Sequence, residues 1–144
     1  MATAEQERNL ARVRTGFDAF NRGDFEAVLA VLDADVEIVA SRELMNSGTF
    51  HGHAGYREWL AQWLEAWEGF EPQIERIEPI GERHVVAGVR QRARGRESGI
   101  PVEMEVAYMF ELGEETASAL HLYTRWDEAV AEAERREREG APRD

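Results

Sequence analysis

The sequence contains no cysteine. Disulfides, thiolate nucleophiles and cysteine-ligated metals are therefore excluded. No apolar run approaches the length of about 20 residues that spans a bilayer, so no membrane partner is expected. The opening residues, Met1-Ala2-Thr3-Ala4-Glu5-Gln6-Glu7-Arg8, lack a basic segment followed by an apolar stretch. No secretory signal is visible there, and a cytoplasmic protein is expected. Neither a phosphate-binding glycine loop nor a Gly-x-Ser-x-Gly elbow occurs. Positive charge is also scarce: 17 Lys and Arg stand against 29 Asp and Glu, a net charge of −12. Such a chain repels a phosphate backbone, so nucleic acid is not an expected partner.

What remains is a soluble, globular composition, 43% hydrophobic and 32% charged over 144 residues. That length fits one domain, residues 1–144. Its folded core should run from about residue 5 to 130, followed by a charged C-terminal helix and tail from 131 to 144. Leu10, Val13, Phe17 and Phe20 recur at helical steps and predict a helix from about Glu5 to Asn21. Gly23 can end it in the left-handed conformation, and Asp24 can cap the next helix. Phe25, Val28, Leu29 and Leu32 form that second stripe, and Val36 to Val39 reads as a short strand. A loop from Ser41 to Gly52 carries a turn at Asn46-Ser47-Gly48. A third helix spans Ala54 to about Trp67. Trp59, Trp63 and Trp67 lie along one side of it, as helix core or as the aromatic wall of a pocket.

Four extended runs follow: Phe70 to Ile80, His84 to Arg96, Ile100 to Leu112 and Thr116 to Trp126. Asp127 opens a terminal helix. Helices before strands indicate an α+β fold with a curved antiparallel or mixed sheet. On the second run Val85, Ala87, Val89, Gln91 and Ala93 share one face, opposite Val86, Gly88, Arg90, Arg92 and Arg94. On the third, Val102, Met104, Val106, Tyr108 and Phe110 oppose Glu103, Glu105, Ala107 and Met109. On the last, Leu120 and Leu122 oppose His121 and Tyr123. Both faces carry apolar residues, so a second buried surface is expected, most simply a sheet-to-sheet homodimer.

The order of elements resembles the nuclear transport factor 2-like fold, and within it the SnoaL-like polyketide cyclase family. The resemblance rests on Phe20-Asn21-Arg22-Gly23-Asp24-Phe25 with Asp35-Val36, on Phe50-His51-Gly52 leading into Tyr56-Arg57-Glu58-Trp59-Leu60, on Arg90 to Arg96 through Ser98-Gly99, and on Tyr123 with Asp127-Glu128-Ala129. It implies a cystatin-like α+β barrel whose sheet wraps three N-terminal helices around a conical pocket for a hydrophobic small molecule, with no cofactor. Matched to ketosteroid isomerase and limonene-epoxide hydrolase, it implies that Val89, Gln91, Ala107, Met109, Leu120 and Leu122 point inward. Phe17, Trp59 and Trp63 would complete the wall. Arg90, Arg92, Tyr108, His121 and Tyr123 would form the dimer face.

The same matching weighs against known chemistries. The isomerase tyrosine falls on Gly16, its base near Ala40 or Ile38, and its acid on Ala107. The hydrolase arginine falls on Val89 and its aspartates on Gln91 and Leu122. Gln91 remains to orient a ligand, and Glu105 or His51 to move a proton. His51-Gly52-His53 has no third ligand at a recognised spacing, so no metal site is expected. The expectation is a small-molecule-binding protein, either a cofactor-free isomerase, cyclase or hydratase or a non-catalytic binding or dimerisation module.

Overall fold

The computed structural model describes residues 1–44 and 47–140. Asn46, the first residue of the expected turn, and the tail after residue 140 lie outside the described residues.

Helix α1 runs from Ala4 to Asn21. Thr3 caps it through a reciprocal pair, its hydroxyl accepting from Gln6 N while the Gln6 side chain accepts from Thr3 N. Gly23 turns the chain at φ 77°, and the Asp24 carboxylate accepts from Ala27 N to start α2, Phe25–Val31. The next strand begins earlier than expected. β1 spans Leu32–Ala40, and Leu32 pairs with Ala117 rather than extending the helical stripe. Long-range pairing overrides helical periodicity there. Strand β2, Gly48–His51, falls inside the expected loop. It is too short to show alternation and exists because it pairs antiparallel with β1.

Helix α3, Gly52–Ala66, leads into the long strands β3 (Trp67–Ile80), β4 (His84–Gly95), β5 (Pro101–Leu112) and β6 (Ala117–Tyr123). Helix α4, Trp126–Gly140, ends the described chain. The sheet order is β2-β1-β6-β5-β4-β3. Among the described residues only β1 and β6 pair in parallel. β2 and β3 sit at opposite edges and do not pair with each other, so the sheet is open and the expected barrel is not closed.

Register decides the faces. Val89 pairs with Val106 and Ala87 with Tyr108, while Tyr108 pairs with Leu122. Directly paired residues share a face, so odd positions of β4, even positions of β5 and even positions of β6 go together. Val85, Ala87, Val89, Val106, Tyr108, Leu120 and Leu122 all join the main core with Val13, Phe17, Leu29 and Trp59. Two expectations are thereby corrected. Ala107 and Met109 face outward, and Tyr108 faces inward. The matching to distant enzymes slipped β5 by one residue, which exchanges its two faces.

The outer face has its own cover. Val86, Ala107 and Met109 form a second buried cluster with Ala129 and Ala133 of α4. The small alanines let the helix lie close. At its N-terminal end Trp126 rests on Gly88, where an added Cβ would come within 3.3 Å of the indole. Arg76, paired with Gly88 in the register, stacks its guanidinium on that indole, 3.9 Å from the ring centre. The apolar outer surface that pointed to a second copy is thus buried within the chain. His121 is buried and Tyr123 packs into this second cluster. Arg90 and Arg92 stay on the uncovered part, where Arg90 meets Glu75 at 3.0 Å and Glu103 at 2.7 Å, and Arg92 meets Glu103 at 3.3 Å.

Candidate functional site

Helices α1, α2 and α3 enclose a cavity against the inner face of the sheet. Its walls include Val13, Phe17 and Phe20 of α1, Val28 of α2, Trp59 of α3, and Phe110 and Leu120 of the sheet. Each arrives by the periodicity of its own element: Val13, Phe17 and Phe20 at helical steps, Tyr108, Phe110 and Leu112 at strand steps. The volume is about 60 Å³. A water needs roughly 10–15 Å³ on the same measure, so the space suits a few waters or a small organic ring.

Polar groups at the cavity are few: Arg12, Tyr56 and Tyr108. Tyr108 is packed edge-on against Phe17, with ring centres 5.1 Å apart. Behind it, the buried Gln91 amide donates to the Tyr108 hydroxyl. That oxygen is thereby used as an acceptor, and its own proton is free to be donated. Burial pushes the Tyr108 phenol well above its usual pKa, with the nearby Tyr56 adding to the rise and the Gln91 hydrogen bond opposing it. Burial raises Tyr56 in the same way. Both hydroxyls are neutral at physiological pH, so they act as hydrogen-bond donors and not as bases.

The residues expected at the site divide into four groups. Phe17, Trp59 and Leu120 line the cavity. Val89 and Leu122 sit in the core on the same sheet face. Gln91 reaches the site through Tyr108, and Trp63 stacks beside Trp59, with ring centres 6.2 Å apart. The remaining four lie elsewhere. Ala107 and Met109 are under α4. Glu105 is on the outer face, its side chain 76% exposed and 3.8 Å from Arg90. Register opposes it to Arg90, and that parity points it away from the cavity. His51 is exposed at the end of β2, paired with Glu37 of β1 in the register. Neither nominated proton carrier lies at the cavity.

Sequence reasoning missed Tyr56, Tyr108 as a cavity residue, and Arg12. Tyr56 precedes Trp59 by three residues on the same helical face, a usable signal. Tyr108 shares its strand face with Val106 and Phe110, which also pointed inward. Nothing in the local pattern distinguished Arg12 from the other arginines of α1.

A separate polar network lies between the outer sheet face and α4. His84 is fully buried. Its Nδ1 is 2.5 Å from Glu137 of α4 and its Nε2 is 3.0 Å from Glu111 of β5. Arg136 contacts Glu111 at 3.3 Å, Glu37 at 3.1 Å and Glu132 at 2.9 Å. His121 Nε2 meets Glu37 at 2.8 Å. Hydrogen bonding to His84 is the main cause holding the Glu111 carboxyl at about 2. The His121 bond lowers Glu37, and burial lowers His121. These groups are consumed in fastening α4 and face away from the cavity.

The profile of the SnoaL-like domain matches residues 13–135. The chain belongs to the SnoaL-like family. Solved structures agree on the fold of this SnoaL-like protein. An NTF2-like protein of unknown function from Burkholderia pseudomallei K96243 is 19% identical, with a TM-score of 0.74, covering 85% of this chain and 95% of its own. TerC, co-crystallised with polyporic acid, is 20% identical with a TM-score of 0.73, covering 88% and 98%. A protein described as a candidate polyketide cyclase, from Xanthomonas campestris pv. campestris, is 19% identical with a TM-score of 0.71, covering 90% and 99%. No curated protein matches the chain. At these identities the likeness establishes the fold and leaves the chemistry to the site itself.

Proposed function

We propose that this SnoaL-like protein binds a small, largely apolar molecule through an acceptor oxygen, without transforming it by acid–base chemistry. The observation that carries this reading is the Tyr108–Gln91 pair at an apolar cavity. It presents a neutral O–H donor in an apolar, buried site, where a hydrogen bond is worth most because an unpaired partner is penalised. Tyr56 adds a second phenol beside it. Two such donors could stabilise a developing oxyanion. Isomerisation or cyclisation also needs a base in reach of the substrate. The described cavity lining contains no carboxylate and no imidazole. The co-crystallisation of TerC with polyporic acid supports an organic small molecule as the ligand class.

The test uses the neutral ketone 4-phenylbutan-2-one as probe, followed by calorimetry and by intrinsic tryptophan fluorescence. Saturable binding is expected. Tyr108→Phe should weaken it by about 5- to 10-fold, the effect of one buried hydrogen bond. Equal affinity in Tyr108→Phe, or turnover of the ketone's α-protons in deuterated buffer at an enzymatic rate, would count against the reading.

A further inference from the structure

Arg12 sets the cavity apart from a simple apolar pocket. It projects from α1 one turn before Gly16, lines the cavity and reaches the backbone of Gly113, next to Leu112. Its Nη1 donates to Gly113 O at 2.9 Å and to Asn9 Oδ1 at 3.3 Å, which fixes the guanidinium. Its Nη2 is buried and has no hydrogen-bond partner among the described residues. A buried, unpaired donor is uncommon and penalised, and one on a cation more so. The surrounding charge makes the case sharper. The chain carries 29 acidic residues, and Arg76, Arg83, Arg90, Arg92, Arg96, Arg135 and Arg136 each hold a carboxylate within 4.0 Å. Among the described residues no carboxylate lies within that distance of Arg12.

We propose that the ligand is an apolar carboxylic acid whose carboxylate is received by Arg12. This rests on the binding reading above and adds the chemical class of the ligand. The spacing fits a short amphiphile. Leu112, beside Arg12, is four residues along β5 from Tyr108, about 13 Å on a strand. A carboxylate at Arg12 would therefore extend an apolar body past Phe17 and Phe110 toward the Tyr108 hydroxyl. The polar side chains of the described lining are Arg12 and the neutral phenols of Tyr56 and Tyr108, with no carboxylate among them to repel the head group. A charge-assisted bond to a guanidinium is about twice as strong as a neutral one.

The experiment compares 3-phenylpropanoate with 3-phenylpropan-1-ol by calorimetry at about 0.15 M salt, where a Debye length near 8 Å suppresses the distant negative charge. The acid is expected to bind about tenfold more tightly than the alcohol. Arg12→Gln should abolish that preference, and Arg12→Lys should keep part of it. Far-UV circular dichroism reports whether each variant is folded. Equal affinity for acid and alcohol, or an unchanged preference in Arg12→Gln, overturns the carboxylate assignment alone. Failure of the ketone, the alcohol and the acid to bind overturns the binding reading and this inference with it.

Discussion

Met109→Ala is expected to lower the unfolding free energy by about 2–5 kcal/mol, the range for truncating a buried methionine. Met109 has no solvent exposure and lies opposite Val86 on β4. It shares a buried cluster with Ala107 and with Ala129 and Ala133 of α4, against which Ile80, Tyr123, Trp126 and Val130 pack. Truncation there removes close-packed atoms and leaves a cavity, and the cost within that range is set by how far these neighbours close in. Urea denaturation followed by far-UV circular dichroism measures the loss. The same variant should bind 4-phenylbutan-2-one as tightly as the parent chain, because Met109 is on the sheet face away from the cavity. Weakened binding with unchanged stability would mean that β5 presents the other face to the helices.

His84→Ala is expected to be the next largest, at about 3 kcal/mol. Removing one partner from a buried charged network leaves the others desolvated and unpaired. The figure sits at the low end of that range because Glu111 and Glu137 keep roughly a quarter of their side-chain surface in water. Four groups face His84 or its partners from neighbouring elements: Arg83 from the β3–β4 turn, Arg136 and Glu137 from α4, and Ser118 from β6, whose hydroxyl donates to Glu111. The arrangement also sets an acid response. Glu111 has a folded value of about 2 against an ordinary 4.5. Its contribution is complete above 4.5 and is lost as pH falls toward 2. Glu37 and Glu132 are lowered as well and act in the same direction. His121, lowered from 6.5 by burial, is protonated more readily once unfolded, so its contribution begins to fade below that pH. Stability should therefore decline steadily on acidification from about 6.5. In His84→Ala the Glu111 carboxyl should titrate nearer its ordinary value, as read by carbon NMR of that side chain. An unmoved Glu111 titration would show that His84 is not what holds it down.

The helices were legible because each declares itself locally. Leu10, Val13, Phe17 and Phe20 repeat at helical steps, and Asp24 caps as its chemistry dictates. The long strands were equally plain, since alternation continues over a dozen residues. β2 was not, because four residues carry too little pattern and only pairing with β1 makes them a strand. The start of β1 was hidden for a related reason: Leu32 fits a helical stripe as well as a strand, and its contact with Ala117 decides. The cavity was half legible. On β5 the residues themselves separated Met104, Val106, Tyr108 and Phe110 from Glu103 and Glu105, and that separation agrees with the observed register. Alignment to distant enzymes then chose the opposite parity for Ala107 and Met109. Their apolar character, which made that choice credible, comes from α4. The terminal helix supplied an apolar environment that a reading of the sheet alone assigned to another molecule.

The open sheet leaves β3 as a long boundary strand. An unpaired backbone edge of 14 residues invites strand addition from a neighbouring chain. Here Pro72 and Pro79 each remove a donor from the strand, and irregular register between Glu68 and Glu71 and between Ile74 and Arg76 bends it. Acidic side chains at Glu68, Glu71, Glu75 and Glu78 add repulsion between like copies. The exposed rim is thus a poor template for fibrous stacking, and the fold can leave its sheet unclosed without inviting aggregation along that side.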